Sequence, residues 1–226
     1  MELSGVIMEY SQPFNQIIRI ALKDGDKGIE MNIGWNIETY TSITALIITL
    51  ILLFLLIKID WKSYGLLFII SSAAGVILCY IFIGLKLYEF PYRLFPGISK
   101  IPFTVILTVF PFYVLLGVRY SPVEWHRKIC FYWVLIHIGM FGEVLAESRT
   151  QLIKYMSGWD VWDSYTWWWI YLLVFEWVGG MIIPADKRKP LATDILSFGK
   201  IGWFIMHFIL IVTIFLAGVY TGMSLK

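Results

Sequence analysis

The segment Ile37–Ile57 reads IETYTSITALIITLILLFLLI, and this long apolar run decides the fold of the chain. A helix rises about 1.5 Å per residue, so about 20 residues cross the roughly 30 Å hydrocarbon core of a bilayer. Backbone amides in hydrocarbon must be paired within their own segment, which favours a helix over an open strand. We therefore predict a transmembrane helix here, with Asn36 as its N-cap.

Five further segments have comparable length and apolar character. They are Tyr64–Leu85, Ile101–Val118, Ile129–Ala146, Tyr165–Ile183 and Phe198–Tyr220. Their apolar residues are continuous and do not alternate with polar residues, as they would in a transmembrane barrel strand. The predicted fold class is all-α: a polytopic membrane helix bundle of about six transmembrane helices, covering residues 36–226.

The composition is that of a protein dissolved in lipid rather than in water. Of the 226 residues, 59% are hydrophobic and 15% are charged, whereas soluble domains average about 45–50% apolar and about 25% charged residues. The formal net charge is +2 and is spread between the apolar runs, so we expect no binding of nucleic acid. The expected partner is the lipid bilayer.

Residues 1–35 form a separate N-terminal region. Pro13 is placed to start a short helix, Phe14–Leu22, whose apolar residues recur at helical spacing. The stretch KDGDKG that follows predicts a turn. We expect an N-terminal interfacial amphipathic helix followed by a loop; the alternative is a polar tail without fixed structure.

The loops between the apolar segments predict the orientation of the bundle. Six spans place both termini on one side of the membrane. The three loops on the opposite side are short and dense in Lys and Arg (KIDWK, RYSPVEWHRK and PADKRKPLATDILSFGK), a pattern typical of the cytoplasmic side. We therefore predict a multi-pass protein of the cell membrane with both termini extracytoplasmic.

An aromatic stretch, GWDVWDSYTWWW, lies on the predicted outer side of the membrane. Its five tryptophans are Trp159, Trp162, Trp167, Trp168 and Trp169. Tryptophan rings concentrate at the boundary between hydrocarbon and water, which predicts an interfacial aromatic belt. The alternative is a stacking platform for a sugar, a lipid headgroup or a peptide, with the nearby aspartates as polar contacts.

Three ionisable residues are predicted to lie near the middle of the bilayer. By helix rise, His137, Glu176 and His207 lie about 10 to 14 Å from the predicted inner ends of their segments. Pro111 lies at a similar depth and is expected to kink its helix. Such groups are costly in lipid, so a midplane polar site for protons, cations or a polar substrate is one hypothesis. Hydrogen bonding that holds the helices together is the alternative.

Glu143 and Glu147 form a predicted outer carboxylate pair, since residues four apart lie on one face of a helix. The pair could be solvated and salt-bridged, could bind a cation, or could perform acid–base chemistry. The histidines and carboxylates lack the spacing of known metal motifs, so no metal and no cofactor are predicted. Gly218 and Gly222 are spaced for close helix contact, within the chain or across a homodimer.

Two stretches of the chain resemble a known family. They are FTVILTVFPFYVLLGVRYSP (Phe103–Pro122) and WDSYTWWWIYLLVFEWVGG (Trp162–Gly180), within a similar region that extends from Trp61 to Leu191. The family comprises uncharacterised multi-span membrane proteins of spore-forming Gram-positive bacteria and has no assigned activity. The resemblance implies a bacterial cell membrane location and no catalytic residue.

Three functions are compatible with these features. The first is a non-catalytic membrane subunit or scaffold of an envelope or sporulation assembly, which predicts a filled core whose polar groups meet protein partners. The second is a small transporter or proton pathway, which predicts a polar cavity reaching Glu176. The third is a lipid-acting enzyme, which predicts a cleft with two carboxylates, or a His–Glu pair, facing one point.

Overall fold

The computed structural model describes residues 32–156, 158–191 and 199–224. Its helices are α1 (Ile37–Ile57), α2 (Trp61–Gly84), α3 (Phe103–Ile106), α4 (Val109–Tyr120), α5 (Trp125–Arg149), α6 (Val161–Ile182) and α7 (Gly199–Ser224). Two short strands, β1 (Tyr88–Glu89) and β2 (Lys154–Tyr155), lie in the loops, and a 3₁₀ turn covers Ala185–Lys187. The predicted N-terminal amphipathic helix, Phe14–Leu22, lies outside the described residues.

The prediction of an all-α bundle of membrane-type helices is confirmed. Among the described residues, five helices are long and apolar enough to cross a membrane: α1, α2, Phe103–Tyr120 (which contains α3 and α4), α5 and the Gly199–Leu216 part of α7. The remaining long helix, α6, has 22 residues but is rich in Trp and Tyr, which are less apolar than aliphatic residues. Several helices of this kind identify a membrane-embedded protein.

Side-chain caps fix where three of the helices begin. The Asn36 side chain accepts the backbone N–H of Thr39 at 2.8 Å, as the sequence predicts for the start of α1. Asp60 caps α2 in the same way, and Asp160 forms a capping box with Asp163 at the start of α6. Helices α2, α5 and α6 begin three or four residues before the predicted apolar segments, because polar and aromatic residues extend each helix at its start.

The predicted third span is divided into two helices, α3 and α4, by residues 107–108. Pro111 has no backbone N–H, so it cannot bond the carbonyl of Leu107 four residues earlier, and its ring crowds that carbonyl. The Thr108 hydroxyl instead donates to the carbonyl of Thr104 at 2.8 Å, which satisfies one acceptor next to the break. The irregular backbone lies where Thr108 and Pro111 are buried in the protein.

Helices α4 and α6 occupy the centre of the bundle. Helix α4 packs against α1, α2 and α6, and α6 packs against α2, α4 and α5. The outer surface of the bundle is apolar: Phe54, Ile69, Phe141 and Trp177 are 63% to 69% exposed. Large apolar side chains this exposed are expected where a protein faces acyl chains, since lipid carries no penalty for them.

Close packing between α4 and α6 depends on a glycine. A Cβ atom at Gly179 would lie 2.5 Å from a methyl carbon of Val118, and Val118 is itself buried in the core. By contrast, a Cβ at Gly65 on α2 would meet no atom within 4 Å. The two glycines therefore differ in how much space surrounds them.

We predict that Gly179→Ala destabilises the protein by about 1–3 kcal/mol, the usual cost of overpacking a filled core. The measurement is the midpoint of thermal unfolding in one fixed detergent. Gly65→Ala is the matched control and should leave the midpoint unchanged or raise it, because Ala favours a helix more than Gly does. Equal midpoints for the two variants would contradict the close approach of α4 and α6.

Candidate functional site

Glu176 lies in the core of the bundle on α6 and is 3% exposed. Its carboxylate accepts a hydrogen bond from the Tyr132 hydroxyl at 2.8 Å and forms an ion pair with Lys128, and both partners lie on α5. A buried charge is very costly unless it is paired and hydrogen-bonded. The sequence therefore places a cation and a phenol one turn apart on α5 to match one carboxylate on α6.

The structure does not bring His137, Glu176 and His207 together as one midplane site. Of the described residues, Glu176 bonds Lys128 and Tyr132, whereas each histidine bonds its own helix. The His137 Nδ1 atom lies 2.7 Å from the Trp133 carbonyl oxygen, and His207 makes the equivalent 2.7 Å contact. Helix rise predicts how deep a residue lies in the membrane but not the direction in which its side chain points. Residues at similar depths on different helices therefore need not contact each other.

The bundle end near Glu176, which we call the closed end, is covered by the chain that follows α6. The Lys187 carbonyl accepts hydrogen bonds from the Tyr64 hydroxyl and from Arg119, both at 3.0 Å. Arg188 donates to the carbonyls of Gly179 at 2.7 Å and Ile183 at 3.1 Å. These bonds tie the ends of α2, α4 and α6 together, and the side chains beneath them form one continuous apolar core.

A cavity of about 360 Å³ lies in the other half of the bundle, which we call the cavity end. Its lining residues come from α1 to α6, from β1 and from the loops next to the two strands. Aromatic side chains form much of its wall, among them Phe82, Tyr88, Phe110, Trp159, Trp168 and Tyr171. Its volume lies at the lower end of the range of about 300–1,000 Å³ that is usual for small-molecule sites.

Glu143 on α5 is the one charged residue among the described residues that line this cavity. One carboxylate oxygen accepts the Tyr155 hydroxyl at 2.7 Å, and the other accepts the indole N–H of Trp168 at 2.7 Å. Both donors are neutral, and none of the ion pairs found in the described part of the chain includes Glu143. Each carboxylate oxygen can accept a second hydrogen bond. Glu143 therefore keeps acceptor sites for a ligand in the cavity.

Glu143 and Glu147, the predicted outer carboxylate pair, differ in their surroundings. Glu147 lies half-buried one turn along α5 and is not part of the cavity wall, whereas Glu143 points between the helices and bonds α6 and β2. A separation of four residues places both glutamates on one side of α5, but it does not determine which of them lines a cavity between the helices. Nor does any group of three or more His, Cys, Asp or Glu in the described ranges suit a metal ion.

The two strands form a small roof over the cavity. They pair antiparallel, with Tyr88 opposite Tyr155. Tyr155 donates to Glu143 on α5, and Tyr88 donates to the Cys79 sulfur on α2 at 3.4 Å. Burial raises the pKa of both phenols well above the ordinary tyrosine value, so both remain protonated donors. A two-stranded ribbon is only marginally stable alone, and these two contacts tie it to the helices.

Two residues of the cavity wall are exposed at the surface, and we infer from them where the cavity opens. Thr41 on α1 and Gly142 on α5 are the members of the described wall that are exposed at the surface. By helix rise, Thr41 lies about 6 Å from the start of α1, and Gly142 lies about 10 Å from the end of α5. The mouth is therefore on the flank of the bundle, in the half of the membrane nearer the cavity end.

The five tryptophans do not form one interfacial belt. Trp162 is 47% exposed, whereas Trp159 and Trp168 are buried. Trp167 joins these two in the cavity wall, and Trp169 is half-buried. A helix turns each neighbour by about 100°, so three consecutive tryptophans cannot all face the membrane boundary. The buried ones could not have been distinguished without knowing where α2 and α4 pack.

Comparison with known proteins identifies no relative: no family model, no curated protein and no solved structure matches the chain.

We predict that Lys128→Met destabilises the protein by about 3–5 kcal/mol, because it leaves the buried Glu176 carboxylate without its cation. The double variant Lys128→Met with Glu176→Gln should recover much of that loss, because an amide is less costly to bury and still accepts the Tyr132 hydroxyl. The measurement is the midpoint of thermal unfolding in detergent for the single and double variants. A double variant as unstable as the sum of the two single variants would contradict the pairing.

Proposed function

We propose that this chain is a non-enzymatic, multi-pass protein of the cell membrane that binds a small lipophilic molecule inside its helix bundle. The cavity beside Glu143 is the observation that carries the proposal. It has the volume of a small-molecule site, a wall rich in aromatic side chains, and one charged group among the described lining residues, whose oxygens can accept further hydrogen bonds. Sites with a mainly apolar wall and few polar groups are typical of bound lipophilic ligands.

The position of the mouth supports entry from the membrane. Thr41 and Gly142 reach the surface on the flank of the bundle, where the surrounding side chains are exposed and apolar. A lipophilic molecule is already concentrated in the bilayer and needs no path through water. With the predicted orientation, in which both termini are extracytoplasmic, the mouth opens to the outer leaflet.

The geometry favours binding over the other activities considered from the sequence. A transporter acting through Glu176 requires a polar cavity at that residue, but Glu176 is paired and lies away from the described cavity wall. An enzyme using two carboxylates requires both at one point, and Glu147 is not in the wall. The closed end has the packed core expected of a scaffold, so a rigid frame supports the binding site.

We also propose that the protein works as a non-catalytic membrane subunit within an envelope or sporulation assembly. Peripheral helix α7 supports contact with lipid, a membrane protein partner or a second copy of the chain. The apolar stretch Gly199–Leu216 of α7 is 0% buried within the chain, and Gly218 and Gly222 are both exposed at small-residue spacing.

The binding proposal predicts that a neutral trifluoromethyl phenyl diazirine, activated by light in nanodiscs, labels the cavity wall. Phe110 and Trp168 should be labelled well above the buried residues Leu115 and Leu172, which are not among the residues that line this cavity. Gly142→Trp should lower the labels at Phe110 and Trp168, because Gly142 is an exposed member of the cavity wall with open space around its Cβ position, so that an indole placed there obstructs access. Peptide mapping by mass spectrometry gives the labelled residues.

Two internal controls separate the cavity from the lipid-facing surface. Phe54 is 67% exposed on the outside of α1 and should be labelled equally in all variants. Gly65→Trp introduces the same side chain at a helix glycine away from the cavity and should leave every label in place. If Phe110 and Trp168 are labelled no more than Leu115 and Leu172, the cavity is not accessible and the proposed function is wrong.

A further inference from the structure

The Glu143 carboxylate brings a negative charge into the cavity without a matching positive charge. Its two hydrogen-bond donors, the Tyr155 hydroxyl and the Trp168 indole, are both neutral. No Lys, Arg or His occurs among the described residues of the cavity wall. Glu176, at the closed end, is by contrast paired with Lys128. The bundle therefore pairs the buried Glu176 carboxylate with its own cation, whereas the half-buried Glu143 carboxylate lines the cavity.

Aromatic rings of the cavity wall form two contacting groups. In the first group, the Trp168 ring, whose indole N–H bonds Glu143, is stacked on Phe110 with a centroid distance of 5.2 Å and meets Tyr113 edge to face at 5.1 Å. In the second group, the Phe82 ring lies 4.9 Å from that of Trp159 and 4.8 Å from that of Trp167. The faces of aromatic rings carry partial negative charge and attract cations. Carboxylate and rings therefore favour the same sign of charge.

From this arrangement we infer that the ligand of the cavity is an organic cation with an apolar body, such as a quaternary ammonium or a protonated amine on an aromatic or alkyl frame. The inference rests on the proposed binding function and names its ligand class. The cationic group lies beside Glu143, and the apolar body lies against the rings. Aromatic enclosures with this composition recognise quaternary ammonium groups in general.

The other charge classes of ligand fit this cavity less well. An anionic ligand would lie close to a like charge in a region of low dielectric constant, where repulsion is strong. A neutral apolar ligand would displace water from Glu143 and leave its remaining acceptor sites without partners, which costs free energy. A cation compensates the carboxylate and satisfies those sites at the same time.

Phenyltrimethylammonium and its neutral carbon isostere, tert-butylbenzene, test the inference because they have the same shape and differ in charge. Each is added to the diazirine labelling experiment in nanodiscs, at concentrations matched by the amount measured in the nanodisc. Phenyltrimethylammonium should protect Phe110 and Trp168 from labelling at a concentration at least about tenfold lower than tert-butylbenzene, the factor expected for one charge-assisted contact. Glu143→Gln should abolish this difference, and Glu147→Gln, the control on the same helix, should preserve it.

The outcomes distinguish the ligand class from the binding function itself. If the cavity is labelled but both compounds protect it equally, or if Glu143→Gln retains the preference for the cation, the inference is wrong and the binding function stands. If the cavity residues are not labelled in the absence of competitor, the binding function fails and the inference fails with it. Retained labelling of Phe110 and Trp168 in Glu143→Gln shows that this variant keeps its cavity.

Discussion

The ion pair between Lys128 on α5 and Glu176 on α6 is the interaction on which the arrangement of the bundle depends. Both charges are drawn into a low-dielectric interior, where an unpaired charge is not tolerated. This requirement fixes the rotation of α5 against α6, and the Tyr132 hydroxyl adds a third constraint. With α5 held in this rotation, Glu143, about four turns further along the helix, also faces the interior.

The two ends of the bundle differ in how their polar groups are paired and how closely their helices pack. At the closed end, side chains and the backbone after α6 pair with each other, and glycine at Gly179 lets α4 and α6 approach closely. At the cavity end, large rings on α2, α4 and α6 line the cavity. The break between α3 and α4 occurs in the same half, where Val105, Ile106 and Val109 contribute to the cavity wall. The protein thus combines a packed half with a hollow half.

Most of the fold could be predicted from the sequence, because lipid leaves few alternatives to a helix. Ile37–Ile57 and its Asn36 cap were predicted residue by residue, since a long apolar run and a capping side chain act locally. The rotation of each helix depends on contacts between distant segments, so His137 and His207 were assigned to a site they do not form. The partners of Glu176 on α5, Lys128 and Tyr132, were missed although they lie one turn apart on the same helix. The cavity could not be predicted, because it arises from rings on several helices and from loops that pair only in the folded chain.

Because the Tyr155 hydroxyl donates to Glu143, the two-stranded ribbon and a ligand in the cavity compete for the same carboxylate oxygen. A ligand that takes the Glu143 oxygen nearest Tyr155 releases that phenol and removes one of the bonds that anchor the ribbon, whereas Tyr88 keeps its bond to Cys79. Linkage is reciprocal, so whatever loosens the ribbon also frees the carboxylate for a guest. Occupancy of the interior is therefore expected to be reported at the surface, as faster exchange of the backbone amide protons that join the two strands.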